Sequence, residues 1–464
     1  MSVVAASPTA PTPLLRRLWR PGWPIRWFLL GFPLWWLLGL TGFILIVLAV
    51  PMSLWLLRRK HLTVPPAFGW WMLFLGCVVL SGVMLGLTAP NTVEGTFVGR
   101  LPGFGLRLLN YVAATVALLY VVNMPEDRLS TRSLVRMQGV FFLVVVLGGL
   151  AGVYFYDIEL TSPFEFILPG SITSNRFASS LLHPSVAQVQ GVLGYESARP
   201  SAPFVYTNIW GNNLSLLMVW FVIGFGIWGG TKSRVATGVV LAISVVPIIY
   251  SLNRGLWIGL IVATIYLAVR LALHGRTQLF FGFVLAIVAL LVVALLSPLY
   301  GVVQERLANP HSDSARENTS SAAVTAALSS PILGYGSTRA TVGSAQSIAV
   351  GRSASCGQCG NAAIGGAGQL WLLLIAQGFT GAVLYIGFFA RTIWTYRHDR
   401  SAIAMGGVLV VLLGLVYLPV YGSAGTPLAL YMIAVGLLWR QRRLAADPEP
   451  RPTVPRPRIP LRLT

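Results

Sequence analysis

Arg254 stands in SLNRGLWIGL, residues 251–260, between the apolar runs VATGVVLAISVVPIIY and IVATIYLAV. A guanidinium stays charged at all ordinary pH values and offers a planar fork of N–H donors that fits phosphate oxygens in pairs. More arginines fall in two long polar stretches: Arg176 and Arg199 within 157–203, and Arg306, Arg316, Arg339 and Arg352 within 298–366. Only Lys60 and Lys232 are lysines. Arginines without lysines suit bidentate binding of a phosphate or diphosphate. Ordinary loop solvation accounts for Arg339 and Arg352. For Arg254, snorkelling of a long side chain to nearby headgroups stands beside the functional reading.

Other chemistry is sparse. Cys356 and Cys359 form CGQC; without a second such pair a zinc site is weakly indicated, and a disulfide on an oxidising side is the better reading. Cys77 lies within an apolar segment and reads as packing. The chain has no HExxH, no phosphate-binding P-loop and no Gly-x-Ser-x-Gly elbow. No metal or cofactor is expected. Acids are almost absent from the apolar segments, which speaks against ion-coupled transport.

The elements that must hold these arginines are membrane helices. The chain is 55% hydrophobic and 10% charged, where a soluble domain carries about 25% charged residues. Backbone groups in hydrocarbon must be satisfied internally, so long apolar runs form helices, and no alternating strand pattern suggests a barrel. The fold expected is an all-α integral membrane domain over 27–440. Its apolar segments lie near 28–57, 67–89, 104–123, 137–156, 204–229, 235–250, 255–273, 278–297, 367–390, 401–421 and 424–439. The net charge of +20 follows from cytosolic loops rich in arginine. No soluble module is long enough to bind nucleic acid.

The links 58–61, 124–136, 231–234, 270–276 and 391–400 are basic and fall on one side if the chain alternates. The charge rule makes that side cytosolic. Opposite them lie 90–103, 157–203, 251–254, 298–366 and 422–423, with eight of the thirteen acids, so acid content agrees with the register. Residues 28–57 have cations at both ends. One helix of that length would measure about 45 Å, against ~30 Å of hydrocarbon. A hairpin turning near Gly39–Gly42 places both ends on the same side and makes twelve segments; a single helix makes eleven. Residues 1–26 and 441–464 are read as cytosolic tails, the second Pro/Arg-rich and disordered, so both termini face the cytosol. In the large outer loop, SARENTSSAAVTAAL is expected as a helix capped by Ser312 or Asp313 and stopped by Pro331.

SLNRGLWIGL resembles the Ser-x-Ser-Arg-Gly-x-Trp-x-Gly signature of the bacterial O-antigen ligase and polymerase superfamily. ARENTSSAAVTAALSSPILGYG resembles that family's arginine-bearing helix followed by Pro-Leu-Leu-Gly-x-Gly. QLWLLLIAQGFTGAVLYIGFF is similar to its Leu-rich Gly-x-x-Gly segment. The three occur in the family's order and cover about 204–393. The resemblance implies a metal-independent glycosyltransferase of the cytoplasmic membrane with an outward-facing site. Such an enzyme moves a glycan from a polyprenyl diphosphate to a hydroxyl of a glycan or glycolipid acceptor. Arg254 and Arg316 take the place of the family's diphosphate-holding arginines. Asn253 and Trp257, in the same signature, are candidate substrate contacts with Arg176, Arg199 and Arg306. The family often has a His-Asn pair before the last segment; here GGAGQLW puts Ala367 and Gly368 there. The acceptor-activating base is therefore open among His311, Glu305, Asp313 and Glu317. Transfer to a distinct acceptor, as by a ligase, is favoured; a polymerase of the same superfamily, or a transporter or lipid-binding protein, is the alternative.

Overall fold

The computed structural model describes residues 22–191, 195–275, 277–296, 299–308, 313–341 and 363–446. The segment 28–57 breaks into α1 (Trp23–Leu30), α2 (Phe32–Leu37) and α3 (Ile44–Leu57), with a turn over 38–43 where Gly39 takes φ 71°. The chain reverses there, so that α1 packs against α3. Then come α4 (Phe68–Ser81), α5 (Phe97–Asn123), α6 (Thr131–Tyr154), α7 (Arg176–Leu182) and α8 (Thr207–Phe221), the last running on as a π-turn to Ile227. They are followed by α9 (Thr231–Tyr250), α10 (Arg254–Leu273), α11 (Thr277–Leu296), α12 (Leu299–Ala308) and α13 (Asp313–Ser329). The last three are α14 (Gln369–Tyr396), α15 (Ala402–Val416) and α16 (Thr426–Ala446). Strand is confined to two small antiparallel pairs among the described residues. Ala187–Gln190 (β1) lies against Ser197–Pro200 (β2), and Arg339–Ala340 (β3) against Ala363–Ile364 (β4).

Among the described residues six helices are long and apolar enough to cross a membrane: Phe97–Asn123, Thr131–Tyr154, Thr207–Ile227, Thr231–Tyr250, Arg254–Leu273 and Gln369–Tyr396. The chain is thus a helical protein with the composition of a membrane domain. The last helix, α16, is its centre. TPLALYMIAVGLLW is apolar all round, as a helix without a solvent or lipid face must be, and Thr426–Leu438 is buried throughout. It packs against α5, α15 and α8. By contrast α10 is peripheral, with Ile258, Ile261, Ile265, Val269 and Leu273 exposed, the face a helix turns to lipid.

Contacts sort the connections into two ends. At one, Arg26 donates to the Arg128 carbonyl, Asn123 bonds Thr63, Arg132 reaches the Trp228 carbonyl, and Arg443 reaches Thr63. Arg440 pairs with Glu126 there, and Arg270 holds the carbonyls of Arg397 and Asp399. This end gathers the basic links. At the other, Gly39 at the hairpin tip abuts the Leu181 carbonyl, and Thr92 bridges Thr341. The hairpin expected for 28–57 is what the chain forms, since both of its ends lie at the basic end and its tip at the other. The expected helix after residue 312 runs from Asp313 to Ser329, with Pro331 just beyond. Neither α12, in 298–366, nor the β1–β2 hairpin, in 157–203, was legible in stretches that read as polar loops. The N-terminal residues 1–21, the tail 447–464, Ser312 and Arg352 lie outside the described residues.

Candidate functional site

The turn between α9 and α10 is where the loop-rich end is tied together. Leu252 sits at φ 53°, in the left-handed region that costs a branched side chain energy. Two arginines hold its carbonyl neighbourhood. Arg199, from β2, donates Nε–H to the Ser251 carbonyl at 2.7 Å and an Nη1 proton to Gln190 Oε1 at 2.5 Å. Arg306, near the end of α12, donates Nε–H to the Leu252 carbonyl at 3.1 Å. Both are buried, at 6% and 5% exposure. One comes from the 157–203 stretch and the other from 298–366.

Asn253 then caps α10. Its Nδ2 donates to the Thr207 carbonyl at 3.4 Å, and its Oδ1 accepts from the Tyr421 hydroxyl. Trp257 turns inward and donates Nε1–H to the Ile248 carbonyl at 3.1 Å. The two glycines of SLNRGLWIGL explain how α10 reaches the bundle. A Cβ at Gly255 would lie 2.8 Å from the Tyr421 hydroxyl, and one at Gly259 would lie 1.8 Å from that of Tyr417. One turn apart on one face, they let α10 lie against the Tyr417–Tyr421 turn with no side chain between.

Arg254 is the first residue of α10, three residues beyond the carbonyl held by Arg199. Arg316 is in the first turn of α13. Burial, then the nearby charges of Arg306 and Arg316, push Arg199 down to about 10. Tyr421 also feels both Arg199 and Arg316. Arg316 thus lies near enough to Arg199 and Tyr421 for its charge to act on both. The N-terminus of α10, with partial positive charge from its aligned peptide dipoles, opens at the 251–254 turn. The arrangement suits a multiply charged anion. Of the nearby acids, Glu305 is engaged by the Tyr195 hydroxyl, and Glu317 is exposed.

Arg199 makes the cluster pH-dependent in a definite direction. A bound anion favours its protonated form, so affinity is expected to be flat from about pH 7 to 9. Above about 10 it is expected to fall by up to about tenfold per unit. Because the folded value lies below the ordinary one for arginine, the unfolded chain binds more protons in between, and this group's contribution to folding stability rises with pH as binding weakens. Titrating pyrophosphate binding across that range checks the sign; affinity that is flat to pH 11 would remove Arg199 from the anion's surroundings.

The structure therefore brings together Arg199, Arg306, Arg316 and the Asn253–Arg254 turn, from three stretches far apart in sequence. Asn253 and Trp257, expected as substrate contacts, spend their polar atoms on the fold. Arg199 and Arg306 hold the turn. Arg339, expected to be solvated, is instead 3% exposed and donates to the carbonyls of Tyr335, Ser337, Thr338, Leu85 and Leu87. Its burial pins the link after α4 to the loop after α13. Arg176 opens α7, but its side chain, like that of Asp313, lies outside the described residues, as do His311, Cys356 and Cys359. A side chain at Gly368 would meet the Pro419 backbone at 2.6 Å, so that position has no room for a catalytic group. Among the described residues no cluster of His, Cys, Asp and Glu could hold a metal. Tyr421 was missed: LPVYGSAG carries no periodic or motif signal that marks it.

No family model matches the chain, and none of the curated proteins or solved structures with which it was compared does so either. The three motifs therefore carry the family resemblance by themselves.

Proposed function

We propose that the loop-rich end grips the diphosphate of a polyprenyl-linked glycan and transfers the glycan to an acceptor hydroxyl. In this reading the anomeric C–O bond to the diphosphate breaks, its electron pair leaves with the phosphate oxygen, and the acceptor oxygen forms the new C–O bond. Arg254 and Arg316 hold the leaving diphosphate as its charge grows; Arg199 and Arg306 fix the turn that presents Arg254. The basic end faces the cytosol, with both termini, and the arginine cluster faces outward. We count twelve crossings, with the 28–57 hairpin as two short arms.

The observation that carries the reading is that Arg199 and Arg306 both hold the turn that bears Arg254, with Arg316 near enough for its charge to act on Arg199. A snorkelling arginine needs no such partners. Both long outer stretches contribute to the cluster, which also suits a polymerase that holds two lipid-linked chains; ligase-type transfer to a different acceptor is the reading we adopt.

Reconstitution in vesicles with a polyprenyl-diphosphate oligosaccharide and candidate acceptors tests it. Elongated acceptor and free polyprenyl diphosphate should appear together, without added metal or nucleotide. Translocation or tight binding of the lipid with no bond cleavage, whatever the acceptor, would instead identify a transporter or lipid-binding protein.

A further inference from the structure

A second cation lies where the transferase reading does not use it. Arg107 is ten residues into α5, about 15 Å along the axis from its start. A charge in a membrane helix is costly and calls for a partner. Among the described residues no carboxylate lies within ion-pair distance of Arg107. Its hydrogen bond is a long one, 3.5 Å to the Gly336 carbonyl. Nearly one turn on, Asn110 is 6% exposed; its Nδ2 donates to Leu106 at 2.9 Å, and its Oδ1 has no partner. A buried carbonyl oxygen without a donor is unfavourable, so such a group points to a missing ligand.

Arg107 and Asn110 both line a cavity of about 300 Å³. It lies between the hairpin tip at Thr41 and Gly42, α5, α7 and the start of α16. Its other walls are mostly apolar, among them Leu106, Phe177, Leu181 and Phe204. The cavity's lining includes none of Arg199, Arg254, Arg306 and Arg316, so it is separate from the first cluster.

We propose that this cavity binds an anionic lipid whose phosphodiester sits on Arg107 and whose headgroup hydroxyl donates to Asn110 Oδ1, with its first methylenes on the apolar walls. The phosphate answers the guanidinium, the hydroxyl answers the orphan acceptor, and the chain answers Leu106, Phe177 and Leu181. A free phosphate satisfies only the first. A zwitterionic choline lipid offers no hydroxyl and brings a second cation. The inference does not rest on the transferase reading.

The test is native mass spectrometry of the full chain after exchange into phosphatidylglycerol, phosphatidylcholine, or lipid-free detergent with inorganic phosphate. The wild type should keep one phosphatidylglycerol, and R107Q should keep about tenfold less, the effect of losing one charge-assisted contact. Gly42→Leu should lose it too with Arg107 intact. A Cβ at Gly42 meets Leu181 and Phe177 at an ordinary 3.6 Å, so this variant fills the cavity rather than breaking the fold. Arg254→Ala should keep the lipid. Equal retention of phosphatidylcholine, unchanged retention in both R107Q and Gly42→Leu, or loss in Arg254→Ala would overturn the proposal. So would displacement of phosphatidylglycerol by inorganic phosphate at equal concentration, which would reduce the cavity to a plain anion site.

Discussion

Replacing Arg316 by alanine should leave the bundle folded and slow glycan transfer by about ten- to a hundredfold or more, the loss of about 1.5–3 kcal/mol of charge-assisted contact with the leaving diphosphate. Arg316 is only partly buried and lies in the first turn of a helix whose other side packs against α14. Truncation there removes a charge without opening a core. Arg254→Ala should do the same. It stands at the head of a peripheral helix, and the cap beneath it, Asn253 to Tyr421, stays intact. Lysine at 254 should restore little, because a point charge cannot match the planar fork. The readout is the initial rate of polyprenyl diphosphate release in reconstituted vesicles, with melting temperature as the check on folding. Arg306→Ala should behave differently. It frees the Leu252 carbonyl in a turn held at positive φ, so rate and stability should fall together. Wild-type turnover in both Arg254→Ala and Arg316→Ala would leave the proposed chemistry without a mechanism.

The helices and their alternation could be read directly from composition, because hydrocarbon length and the charge rule act on single segments. The 28–57 hairpin was legible for the same reason: cations at both ends cannot be reconciled with one crossing. The site was legible only in part. Arg254 and Arg316 stood out by residue type and motif, but the partners that join them are set by tertiary contact. Charge alone groups Arg199 and Arg306 with substrate contacts; their Nε–H groups are spent on backbone carbonyls, a role that no local pattern announces. Arg339 looked like a solvated loop cation because five carbonyl partners from two distant loops cannot be seen in GSTRA. Tyr421 lies in a short turn between two helices, and its role depends on Asn253 and Gly255, far away in sequence. Arg107 sat inside an apolar run and was absorbed into a span.

Gly378→Ala should destabilise the protein by several kcal/mol, and Gly378→Val by more. The run QLWLLLIAQGFTGAVLYIGFF reads as one unbroken helix, yet α14 departs from helical geometry at Gly378, with φ 65° and ψ −166°. That conformation costs a residue with a side chain on the order of 1–3 kcal/mol. A Cβ there would also lie 2.4 Å from the Pro331 carbonyl oxygen. The break frees backbone groups that an apolar surrounding cannot satisfy, and the SPILGYG segment supplies their partners. Phe379 N–H donates to the Pro331 carbonyl at 2.8 Å, while Tyr335 and Gly336 donate to the carbonyls of Ile375 and Ala376 at 2.7 and 2.8 Å. Two of the three motifs are thus one structural device, a loop inserted into a broken helix. Because that loop follows α13, the device also fixes the helix that carries Arg316, and transfer should fall with stability. Gly238→Ala is the control: it is helical with nothing within 4 Å of the added carbon, and the exchange should be neutral or stabilising by up to about 1 kcal/mol. Thermal unfolding in detergent distinguishes the two. A Gly378→Ala protein that melts with the wild type would mean that α14 is continuous and that its join to the 331–336 loop does not hold the bundle.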